Sequence, residues 1–100
     1  MQPIRSFHAI CRGYGLTPLQ TDTLQSLVDH RRGVLHPYWI QLALIVPYDF
    51  AKSLHDSLIA NEWAVPDVLE SNGITYETEL EESEIELLAK IELGLIPSRN

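Results

Sequence analysis

The run Val34–Phe50, VLHPYWIQLALIVPYDF, is the one long apolar stretch in this chain, and it limits what the remainder can fold into. Proline stands at each end of its centre, at Pro37 and Pro47, and Gln41 is the single interior polar residue. The run falls short of the roughly 20 apolar residues that a membrane-spanning helix requires. It is therefore expected to form the buried centre of a soluble domain, with the flanking segments arranged to cover it. Two conformations fit. Pro37 at a first helical position and the Leu, Ala and Gln content suit a helix, whereas Tyr38, Trp39, Ile40, Ile45 and Val46 are good strand formers. Helical neighbours and the lack of convincing partner strands make helix the expectation.

Those neighbours carry helix signals of their own. Ile4, Phe7, Ile10, Cys11 and Tyr14 recur at helical spacing, and Gly13 and Gly15 follow to stop that helix. Thr17-Pro18-Leu19-Gln20 reads as a capping box with proline at the first helical position, opening a helix expected to reach Arg32 and stop at Gly33. Leu24, Leu27 and Val28 give it a narrow apolar face. Asp49 is expected to cap a helix running to Trp63, with Phe50, Leu54 and Leu58 as its core stripe. Pro66–Ser71 suits a short helix and Asn72-Gly73 a turn, while Ile74–Leu80 alternates at strand period. Ser83 with Glu86 forms a further capping box, starting a last helix that Gly94 ends. Leu87, Leu88, Ile91 and Leu95 share one face of it, and Ile85, Ala89 and Leu93 share another.

The fold expected for residues 1–100 is thus a single all-α domain, a bundle of five or six helices around 34–50. The alternative is α+β, with a small two-stranded sheet from 39–46 and 74–79. One hundred residues suffice for one such core. With Cys11 as the only cysteine, no intramolecular disulfide can form, and the N-terminus lacks the apolar stretch and cleavage site of a secretory signal. A cytoplasmic protein is the expectation.

Charge divides the chain. Residues 1–48 hold Arg5, Arg12, Arg31 and Arg32 against Asp22 and Asp29, whereas residues 49–100 hold twelve carboxylates against Lys52, Lys90 and Arg99. The net charge of −7 therefore resides in the second half. Such a field repels nucleic acid and attracts basic surfaces. The prospective recognition segment of a helix-turn-helix reading, Tyr38–Val46, also offers only Gln41 to base edges. Direct nucleic-acid binding would have to use a patch of Arg5, Arg12, Arg31 and Arg32, and is not the favoured reading.

Chemistry-bearing motifs are lacking. His8 and Cys11 stand three apart but have no second ligand pair, and the acidic run does not follow the order of a calcium loop, so no metal or cofactor is expected. No phosphate loop or nucleophile elbow occurs, and Cys11 falls on a buried stripe, so no catalytic residue is assigned. The reading that remains is a non-catalytic acidic module that binds a basic surface of a partner protein. Its candidate contacts are acidic (Glu77, Glu79, Glu81, Glu82, Glu84, Glu86) and aromatic (Tyr38, Trp39, Tyr48, Trp63). Ile85, Ala89 and Leu93 are expected to meet either the first helix or a second copy of the chain. Phage and plasmid counter-defence proteins, antitoxins and immunity proteins share this size and charge, an analogy of composition alone. The alternative function is a small nucleic-acid-associated transcriptional regulator using the four arginines.

Overall fold

The computed structural model describes residues 5–67 and 80–95, which form five helices and one pair of short strands. In chain order these are α1 (Phe7–Gly13), α2 (Pro18–His30), β1 (Val34–Leu35), α3 (Pro37–Leu44), α4 (Tyr48–Ala60), β2 (Val65–Pro66) and α5 (Glu82–Glu92). For Pro37–Val46 the helix alternative is the one adopted, as α3 over Pro37–Leu44, while Val34–Leu35 ahead of it is strand. α3 packs against α2, α4 and α5, while α1 lies on α4. Leu35, Ile40, Leu44 and Val46 from the run join Leu24, Leu54 and Leu58 in the core, each 2% exposed or less. None of the described helices is long and apolar enough to cross a membrane.

A two-stranded sheet is present, but other residues build it. Val34 pairs with Val65 and Leu35 with Pro66 in parallel register, through Val65 N–H to Gly33 C=O (2.7 Å) and Asp67 N–H to Leu35 C=O (3.1 Å). Residues 39–44 are helical, so they cannot supply a strand, and 74–79 lie outside the described residues. Pro66 is likewise in β2 and Asp67 is not helical, so neither belongs to the expected Pro66–Ser71 helix, and residues 68–71 lie outside those described. Proline is tolerated there because this short strand is at an edge and needs no donor at that position.

Helix ends depart from the expectation in an instructive way. α2 stops at His30, because Arg32 enters the left-handed region (φ 57°) and the next N–H, that of Gly33, bonds back to Val28 C=O at 2.8 Å. α4 stops at Ala60 for the same reason: Glu62 has φ 64°, and Trp63 N–H reaches Leu58 C=O at 2.9 Å. Both are the paired 6→1 and 5→2 closures that normally use glycine, as Gly15 and Gly94 do after α1 and α5. α4 begins directly after Pro47, so Asp49 sits in its first turn and not at its cap. α5 starts at Glu82 with Glu81 as its cap, two residues earlier than the expected cap Ser83. Glu84 there supplies the return bond, its Oε1 accepting from Glu81 N–H at 2.9 Å. This register places Leu80 and Ile85 at the two positions of a hydrophobic staple, with Leu80 buried at 8% exposure.

Candidate functional site

α5 does not lie flush on the bundle. Its stripe of Ile85, Leu88, Ala89 and Glu92 faces Tyr38 and Gln41 of α3 and Tyr48 and Asp49 of α4 across an open groove of about 390 Å³, which Leu80 also lines. The Tyr38 and Tyr48 rings meet edge to face at 5.9 Å and form its aromatic wall. The charged residues lining it are Asp49 and Glu92; no cation lines it among the described residues. Glu81, Glu82, Glu84 and Glu86 are carried on the N-terminal half of the same helix. An apolar floor, an aromatic wall and an acidic edge thus come together in one place.

The floor of the groove is fixed by a polar tie. Gln41, the single polar residue in the apolar run, is 1% exposed. Its Nε2 donates to Glu92 Oε1 at 2.6 Å and to Val46 C=O at 3.3 Å. The same Glu92 oxygen accepts from Tyr48 N–H, at 2.8 Å. Proline at position 47 has no side-chain acceptor for the orphan donors at the start of α4, so α5 provides one from 44 residues away. The carboxylate also sits favourably at the positive end of that helix. Ile45 turns the corner in the left-handed region (φ 55°), where a β-branched residue is strained. Glu92 was not singled out from sequence. Its signal would have been the pairing of a buried glutamine with a helix that starts after proline.

A second concavity, about 460 Å³, lies on the other side of Tyr48 and contains His36, His55, Lys52, Asp56 and Asp67. Two histidine rings 6.5 Å apart invite a proton-transfer reading. Their bonds argue against it. His36 Nδ1 accepts from Tyr38 N–H at 3.1 Å and so caps α3. His55 uses both nitrogens, Nε2 against Leu35 C=O (3.2 Å) and Nδ1 against Asp56 Oδ1 (3.0 Å). The two contacts, one at each ring nitrogen, fix the orientation of the imidazole. Lys52 binds Asp56 at 2.9 Å, and this bond first, with His55 as a lesser contributor, holds the Asp56 carboxyl below its ordinary range. These are structural bonds: the His55–Leu35 contact ties α4 to β1, the His36 contact caps α3, and the other two lie within α4. No three His, Cys, Asp or Glu side chains gather as metal ligands among the described residues.

The remaining sequence candidates scatter. Trp39 packs on the core with the Arg31 guanidinium 4.0 Å above its ring, and Arg31 also pairs with buried Asp67 at 3.6 Å. Trp63 is 39% exposed, but its indole N–H donates to Arg5 C=O at 2.6 Å and its ring meets Phe7. It therefore holds the entry to α1, helped by Arg5 N–H to Asn61 Oδ1. Of the four aromatics, only Tyr38 and Tyr48 converge. Arg31 is committed inside the fold, whereas Arg5, Arg12 and Arg32 are exposed. Cys11 is fully buried, and burial pushes its thiol pKa up, offset in part by a hydrogen bond with Thr21. Glu77 and Glu79 lie outside the described residues.

Comparison with protein-family models, with curated proteins and with solved structures gives no match. The functional reading rests on the geometry above.

Proposed function

We propose that this chain is a non-catalytic, acidic protein-binding module whose target is a basic surface of another protein. The observation that carries the proposal is the groove beside α5, where apolar and aromatic side chains meet a carboxylate edge without a lining cation among the described residues. Apolar anchors supply affinity at protein interfaces, and surrounding charge supplies selection and encounter rate. Inhibitors that cover a nucleic-acid-binding surface use this chemistry, which keeps a counter-defence or antitoxin-type role within the proposal. A catalytic role finds little support. Cys11 is buried, and both nitrogens of His55 are engaged in holding the fold. The regulator alternative would rely on Arg5, Arg12 and Arg32, because Arg31 is paired with Asp67 and stacked on Trp39.

The test is a salt series of association rates with a partner recovered from the native host. Glu81, Glu82, Glu84 and Glu86 are replaced together by Gln, which keeps the capping oxygen at position 84. The variant is expected to melt as the parent does, since exposed charges are each worth only tenths of a kcal/mol. Its association should slow, with a shallower dependence on ionic strength. Equal rates and equal salt slopes would assign the acidity to solubility alone.

A further inference from the structure

Resting on that reading, we infer that the groove between α5 and the Tyr38–Tyr48 wall is the docking site, and that its occupant is a basic amphipathic helical segment of the partner. Ile85, Leu88, Ala89 and Glu92 stand at i, i+3, i+4 and i+7 on α5 and form a stripe along one side of the groove. The stripe is roughly 10 Å long, about two helical turns. A helix laid beside it meets ridges of matching pitch, the usual way an amphipathic segment enters an apolar groove. Ile85 remains 39% exposed even though it stands at a staple position, so the intramolecular partner covers only part of it. Asp49 beside the groove, with Glu81, Glu82, Glu84 and Glu86 at the N-terminal end of α5, selects Lys and Arg on the flanks of the incoming segment, Glu86 exchanging its present ion pair with Lys90 at 3.3 Å.

The same carboxylates disfavour a second copy of this chain as the occupant. A two-fold interface uses the same patch on both copies, so it would bring together two patches that each carry these carboxylates. That gathers like charges in a protein of net charge −7.

The experiment uses two synthetic probes, an amphipathic helix of Leu and Lys only and its Leu/Glu counterpart. Binding is followed by fluorescence anisotropy and by backbone amide shifts of the whole protein. The Leu/Lys peptide is expected to bind, with shifts concentrated at Tyr38, Tyr48, Ile85 and Ala89, and the Leu/Glu peptide is expected not to. Ala89→Trp fills the groove at an exposed helical position and should leave the melting temperature unchanged while weakening the Leu/Lys peptide about tenfold or more. Undiminished binding by Ala89→Trp, with loss in the four-Glu→Gln variant, would overturn the groove and leave the acidic-module reading intact. Equal binding of both peptides, or of neither, overturns the inference as well. So does a parent that light scattering shows to be a dimer and that Ala89→Trp converts to a monomer, because the groove would then belong to a second copy.

Discussion

At the scale of the residue, Glu92 does more than its exposed position on α5 suggests. One of its oxygens completes the hydrogen bonding of buried Gln41 and of the first amide of α4. Replacing a partner of buried donors costs their desolvation as well as the bond. Glu92→Ala is therefore expected to destabilise the protein by about 2 kcal/mol in urea denaturation, with Glu92→Gln recovering much of the loss because it keeps an acceptor. Cys11 gives a simpler expectation: a buried, protonated thiol should resist thiol-specific reagents until the protein unfolds. Its raised pKa contributes stability that is fully present below the ordinary thiol range and lost as pH rises through the higher folded value. Asp56 has the opposite sign. Its lowered pKa contributes stability above the ordinary carboxylate range, lost as pH falls through the folded value. The group is largely exposed, so Asp56→Asn should shift the melting temperature only slightly.

At the scale of the element, α3 decides whether the domain exists. Leu44 is 2% exposed at the centre of its contacts, and Leu44→Asp is expected to abolish the cooperative thermal transition, because an unpaired buried charge costs several kcal/mol. Helix closure gives a stabilising counterpart. Glu62 occupies a left-handed position that suits glycine, so Glu62→Gly should raise stability by about 1 kcal/mol by chemical denaturation. These two positions also show what was legible beforehand. Burial of the Val34–Phe50 run and the start of α2 follow from apolar content, proline and the Thr17–Gln20 box, all local signals. Where α2 and α4 end was not legible, because Arg32 and Glu62 take conformations that a search for glycine overlooks. The strand pair Val34–Leu35 with Val65–Pro66 joins residues about 30 apart in sequence and has no period long enough to read. Glu81 in place of Ser83 as the cap was not legible either: the Ser83–Glu86 box is the local signal, whereas the observed start places the buried Leu80 just before the cap.

At the scale of the molecule, the helices divide the candidate surface unevenly. The acidic residues expected to act together do share α5 where the structure describes them, but the four aromatics do not act as a set. Trp39 and Trp63 each make contacts within the fold, Trp39 with Arg31 and Trp63 with Arg5 and Phe7, while Trp63 stays 39% exposed. Tyr38 and Tyr48 converge only because the corner at residues 45–47 folds α4 back beside α3, a geometry that no spacing rule foretells. Ile85 and Ala89 line the resulting groove, while Leu93 is 74% exposed beyond it. Leu93→Glu is accordingly expected to leave both the melting temperature and the oligomeric state of the free protein unchanged by light scattering. A dimer that dissociates on this change would place a second copy over the end of α5.

The tie from Glu92 to Tyr48 also orders events in time. On a ribosome, residues 37–60 emerge well before residue 92, so the corner between α3 and α4 forms with its amide and the Gln41 side chain still bonded to water. Within the run Gln41 reaches Val46 C=O at 3.3 Å, and its shorter bond, to Glu92 at 2.6 Å, waits for the last helix, so completion of this core is expected to be a late, chain-wide step despite its central place in the sequence. Nascent chains arrested before α5 has emerged are expected to be cut at 45–48 by added protease, and chains released at full length to be protected there.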